Sequence, residues 1–140
     1  MTELAIGEST TTTVPAVDPR FRTGIHLRKN AEYKFEAEPP EQTWNDGEKL
    51  KPFTADGRMI ILLALPQLFL RMPTAKWFAL LGSIDEKRST FFKIGTLRES
   101  YHPPQDGELV CFANDAWGCN DYWYTHNNSG QITIRVTRIA

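Results

Sequence analysis

The chain is poor in cysteine, in net charge and in long apolar runs, and each shortage removes a class of protein. Its two cysteines, Cys111 and Cys119, form no repeated Cys-x-x-Cys pattern, so neither a disulfide framework nor structural zinc is implied. Sixteen Lys and Arg against seventeen Asp and Glu leave a net charge of -1, which gives nucleic acid and anionic membranes nothing to attract them. The most apolar stretch, "MIILLALPQLFL", contains Pro66 and falls short of the roughly 20 residues that cross a bilayer. No membrane insertion is expected. The N-terminus, "MTELAIGESTTTT", lacks a basic n-region and an apolar h-region. A cytoplasmic product, or one exported without a recognisable signal peptide, is expected.

What is present is a succession of short alternating runs. Ser9 to Val14 is β-branched and stops at Pro15, as an edge or first strand does. "IHLRKNAEYKFEAE" reads as two strands broken at Lys29 and Asn30. "PPEQTWNDGEKLKPFTADGR" reads as a long surface loop, and "MIILLALPQLFLRMP" as a short helix. "WFALLGSID", "TFFKIGTL", "GELVCFAND" and "QITIRVTRI" follow as strands separated by turn chemistry. In the last, Ile132, Ile134 and Val136 share one face. The 140 residues are expected to form one domain, all-β, an antiparallel jelly-roll-like sandwich with one short helix possible.

Chemistry concentrates in "NDAWGCNDYWYTHNNSG". Asp115 stands at the end of one strand, and Asn127 and Asn128 stand just before the next, so an antiparallel arrangement brings them to one edge of the sandwich. Calcium takes six to eight hard oxygen ligands, and Asp and Asn side chains supply them. The bland reading is that Asn, Asp and Gly are simply the residues turns use, and the spacing is not that of an EF-hand loop. Cys111, Cys119 and His126 offer a weaker zinc or thiol-nucleophile alternative, with Cys111 placed as a small core residue. Asp115 with Asp121, Asp46 or Asp56 offers a glycosidase pair whose separation sequence does not give.

The pattern of Gly107, Glu108 and Leu109, then Asn114 and Asp115, an aromatic at Tyr124, and "NNSG" before an alternating terminal strand resembles the calcium-dependent galactophilic bacterial lectins. "TGIHLRKNAEYKFEAE" followed by Trp44, Asp46 and Gly47, and "WFALLGSI" followed by "FFKIG", agree in order. The resemblance implies a galactose-binding-like sandwich and a non-enzymatic, calcium-dependent carbohydrate-binding protein. It implies Ca2+ held by the side chains of Asp115, Asn127 and Asn128 and by backbone carbonyls near Tyr124 and Gly47. A galactose-like sugar would meet the metal through its hydroxyls, with Asp115 and Asn127 also bonding the sugar. The family's His-Pro-x-Gln sugar-contact stretch has no counterpart, and Asp56 stands in its region. "AWGCNDYWYTH" lengthens a tight loop of the family and places Trp117, with Trp44, Tyr122 and Trp123, as aromatic candidates for a sugar face. Asn120 or Asp121 of this insert is a possible substitute ligand. A homo-oligomer is expected, because shallow sites gain strength through multivalency. The alternative is a structural or protein-interaction sandwich whose calcium site is vestigial or purely structural.

Overall fold

A computed structural model describes residues 1–60, 66–116 and 118–140, with the side chains of Pro66, Gln67 and Cys119 outside the description. Ten strands are defined among them: β1 (Thr2–Glu3), β2 (Ser9–Pro15), β3 (Phe21–Leu27), β4 (Tyr33–Ala37), β5 (Trp44–Asp46), β6 (Leu80–Ile84), β7 (Phe92–Lys93), β8 (Leu97–Tyr101), β9 (Gly107–Ala113) and β10 (Asn128–Arg138). One α-helix, α1, covers Tyr122–Asn127. None of the described helices is long and apolar enough to cross a membrane.

The strands form two sheets, β1-β3-β9-β6-β7 and β2-β10-β4-β8, with β5 joined to β10 beside the second. This is the all-β sandwich the sequence predicts. The pairing is antiparallel except where β1 runs parallel to β3. β10 is the organising strand. It pairs with β2 from Thr137 opposite Ser9 to Gln131 opposite Pro15, with β4 from Arg138 to Ile134, and with β5 through Asn128 to Gly130. Ile132, Ile134 and Val136 are each 0% exposed, so one face of β10 faces the core, as alternation requires. Tyr33, Phe35, Leu80, Leu81 and Phe112 meet them there.

Several expectations need correction. The segment read as a surface loop after Pro40 carries β5, and Trp44, Phe53 and Ala55 in it are buried. Trp44 and Phe53 exchange backbone hydrogen bonds of 2.9 Å in both directions, and the Trp44 indole N–H donates to the carbonyl of Phe78 at 3.0 Å. Burial of one large aromatic there outweighs the polar composition around it. "TFFKIGTL" is two strands, β7 and β8, because Gly95 turns the chain at φ +67°. Of the short helix expected in "MIILLALPQLFLRMP", residues 61–65 lie outside the described residues, and Pro66–Phe69 forms a 3-10 turn. The α-helix sits instead in the lengthened loop, at α1.

Candidate functional site

The end of β9, the end of α1, the start of β10 and β5 converge on one cleft of about 1460 Å³. β9 delivers the buried pair Asn114 and Asp115, and these divide their work. The Asn114 side chain donates to the carbonyls of Met72, Ala75 and Lys76 at 3.0 to 3.2 Å and accepts from the Met72 N–H at 3.0 Å. It clamps the 72–76 segment, and Asp115 is left to face the cleft. Asp115 is 2% exposed. Its Oδ1 accepts from the Ala116 N–H at 2.7 Å, while its Oδ2 has no hydrogen-bond partner among the described residues.

Asn128 begins β10 opposite Asp46 of β5. Its Nδ2 donates to the Ala16 carbonyl at 3.1 Å, and its Oδ1, also buried, has no partner among the described residues. Asn127 ends α1, where its side-chain N–H donates to Asp46 Oδ1 and its carbonyl accepts from the Gly47 N–H at 2.9 Å. Gly47 sits at φ +70°, and a Cβ there would lie 2.8 Å from Asn127 Oδ1. Both the left-handed backbone and the close approach call for glycine. The other oxygen of Asp46 accepts from the Trp77 indole N–H at 2.5 Å.

Two carboxylates thus share a confined space. Burial raises the Asp46 carboxyl above its ordinary range, against the hydrogen bonds from Trp77 and Asn127. Burial first, and the charge of Asp46 second, push Asp115 up to about 6, against the Ala116 N–H, the neighbouring Asn128 side chain and the charge of Arg71. A buried polar atom with no partner costs roughly 1–3 kcal/mol, more if charged, and this cleft contains such an oxygen on Asp115 and another on Asn128. The donor set is all oxygen, which fits a hard divalent cation such as Ca2+. Soft-metal alternatives fit poorly. Cys111 is fully buried in β9, and burial drives its thiol far upward, away from the thiolate that metal binding or nucleophilic attack needs. Among the described residues no three His, Cys, Asp or Glu are grouped to hold a metal.

Of the site residues read from sequence, Asp115, Asn127, Asn128 and Gly47 come together in this cleft. Tyr124 does not line it. Its ring is 1% exposed, and its hydroxyl donates to the Ala113 carbonyl at 2.6 Å and accepts from Arg71 at 3.3 Å and from the Asp115 N–H at 3.4 Å. Tyr124 therefore supports Asp115 from below. Asp56 is elsewhere, its two oxygens accepting the Thr96 N–H at 2.9 Å and the Thr96 hydroxyl at 2.8 Å. Asp121 is drawn to Arg20, at 2.7 Å, and Asn120 takes a left-handed turn conformation at φ 52°, so both read as loop-shaping residues. Trp117 lies outside the described residues. Trp44 is core, whereas Trp123 lines the cleft.

The residue that sequence reading undervalued is Asp46, considered there as a catalytic acid and not as a ligand. A signal existed: two residues after Trp44 on a strand, Asp46 shares its inward face, and β5 alternates buried, half-buried, buried. Trp77, which orients Asp46, carried no such signal, since its partner lies far away in sequence.

No known protein-family model matches the chain, and no curated protein sequence matches it. Its fold is similar to that of a solved structure described as the EclA N-terminal domain, a PllA-like lectin, with a TM-score of 0.63 over 91% of this chain and 94% of that one. The two are 19% identical, a likeness of fold.

Proposed function

We propose that this protein is a non-enzymatic, calcium-dependent carbohydrate-binding protein whose site is the cleft between β5 and the start of β10. The observation that carries the reading is the pair of buried oxygens, Asp115 Oδ2 and Asn128 Oδ1, with no hydrogen-bond partner among the described residues, beside a second carboxylate, Asp46. A divalent cation would satisfy all three groups and offset their mutual repulsion. Asp46, Asp115, Asn127 and Asn128 would hold it. The Asn127 amide bears an acceptor opposite its donor, so a half-turn of the amide would present oxygen toward the metal. Gly47 holds its loop against that amide, and a carbonyl near Gly47 or Tyr124, as the resemblance implies, would add a ligand.

The cation would supply open coordination positions for paired sugar hydroxyls, neutral oxygen donors that can replace its waters. A sandwich fold similar to that of a lectin domain supports the sugar as the ligand class; galactose is one candidate. As the resemblance implies, Asp115 and Asn127 would also bond the same hydroxyls. A homo-oligomer would multiply the strength of such a site.

A second reading has an observation of its own. Phe69 and Trp123, which both line the cleft, are 65% and 42% exposed, apolar surface that a protein partner could cover, with calcium then holding β5 to β10. Calorimetric titration of chelator-treated protein, first with calcium and then with a glycan panel, separates the two. The carbohydrate reading expects calcium uptake that Asp115→Ala abolishes and glycan binding that disappears in chelator. Uptake unchanged in Asp115→Ala refutes the metal assignment, and calcium uptake with no glycan bound favours the protein partner.

A further inference from the structure

We infer that the cleft takes more than one sugar ring: a second flat ring, joined to the metal-bound sugar, lies against an aromatic wall made by Phe69 and Trp123. The inference rests on the carbohydrate reading above and extends it to the size and chemistry of the ligand.

The first support is volume. At about 1460 Å³ the cleft exceeds the roughly 300–1,000 Å³ that encloses a drug-sized ligand, and one pyranose is smaller than such a ligand. The oxygen cluster accounts for one part of this space. The rest is bounded by Leu50, Pro52, Phe69, Ala116 and Trp123, which offer apolar contact, with Glu48, Lys49 and His126 beside them to hydrogen-bond the hydroxyls of a further ring.

The second support is placement. Trp123 and Asn127 are four residues apart on α1, hence on one face and one turn apart, so the helix that brings an amide to the oxygen cluster also brings an indole beside it. Phe69 is fixed by the residues after it. Leu70 bridges to Ala116, and the Arg71 N–H donates to the Asp115 carbonyl at 3.0 Å, which seats Phe69 at the rim next to Asp115. Both rings remain substantially exposed, Phe69 at 65% and Trp123 at 42%, although both line the cleft. Trp123 is also braced. It meets Tyr122 edge to face at 5.3 Å, and Tyr122 is stacked on His126 at 4.5 Å, so its ring is held in place before a ligand arrives.

A ring presenting C–H bonds or a π face suits such a wall. A second sugar and an aryl aglycone both supply one, and the experiment separates them. Affinities are measured by calorimetry in calcium for methyl glycosides of galactose, mannose and fucose, for their p-nitrophenyl glycosides, and for the disaccharides lactose, melibiose and mannobiose. For at least one sugar, the p-nitrophenyl glycoside or the disaccharide is expected to bind about tenfold more tightly than the methyl glycoside, and the arm that gains names the ring. In Phe69→Ala and Trp123→Ala, both at exposed positions, that preference is expected to fall toward one. Equal affinities for one-ring and two-ring ligands, or a preference unchanged in both variants, overturn the inference while leaving the carbohydrate reading intact. If no glycoside binds although calcium does, the carbohydrate reading fails and the inference with it.

Discussion

Gly47 shows how one residue can hold two loops in contact. At φ +70°, with the position of a Cβ 2.8 Å from Asn127 Oδ1, it lets the chain after β5 close on the end of α1. Gly47→Ala places a side chain in left-handed backbone, which costs about 1–2 kcal/mol, and it pushes the Asn127 amide away from Asp46. Denaturant unfolding should register that loss, and calorimetry should register weaker calcium uptake than in the unaltered protein. At this scale the sequence was partly legible. Asp115, Asn127 and Asn128 stand out because they flank one loop between two alternating strands, whereas Asp46 is hidden in a stretch whose polar composition resembles a surface loop. Asp56 misled for the opposite reason. It has the right chemistry, but its oxygens close a turn on Thr96, a partner that sequence spacing does not reveal.

The helix α1 carries the site from an unexpected place. Its six residues, "YWYTHN", are too few to display helical periodicity and too rich in aromatics for strong helix propensity. What holds it is Tyr124, whose ring is buried and whose hydroxyl meets the Ala113 carbonyl, Arg71 and the Asp115 N–H. Tyr124→Phe keeps the ring and deletes these bonds. It should lower stability by roughly 1–3 kcal/mol, and thermal unfolding with and without calcium should show a smaller stabilisation by the metal, because Asp115 loses its support. A variant with unaltered calcium affinity would leave Tyr124 as a packing residue alone. The strands were far easier to read than this helix. β10 displays its alternation without interruption, and β3 and β4 are separated where the sequence breaks, at Lys29 and Asn30. The two sheets follow from such patterns, but which strands neighbour one another does not, since pairs such as β2 with β10 join opposite ends of the chain.

For the molecule as a whole, the cleft links folding to pH and, on the proposed function, would link it to metal. Burial, and after it the charge of Asp46, push Asp115 up to about 6 from an ordinary value of 3.8, so between those values the native state binds more protons than the unfolded chain. Stability therefore falls as pH rises through this window, opposite to the usual salt-bridged carboxylate. In chelator, the unaltered protein should lose on the order of 2 kcal/mol relative to Asp115→Asn between pH 4 and pH 7, measured as paired denaturant melts. Calcium should remove the difference, and at a hundredfold excess over its dissociation constant it should stabilise the unaltered protein by about 2.7 kcal/mol. Parallel pH profiles for the two proteins in chelator would show that Asp115 is not the source.

Asn128 belongs both to the proposed site and to the strand around which the second sheet is built. A load applied to the cleft through a tethered ligand, when it acts along β10, is received at that strand's first residue. The ladders to β2 and β4 then lie parallel to the force, from Gln131 to Arg138. The hydrogen bonds of those ladders lie across the force and are sheared together instead of peeled one after another, and the grip on a ligand would have the mechanical resistance of the sheet behind it.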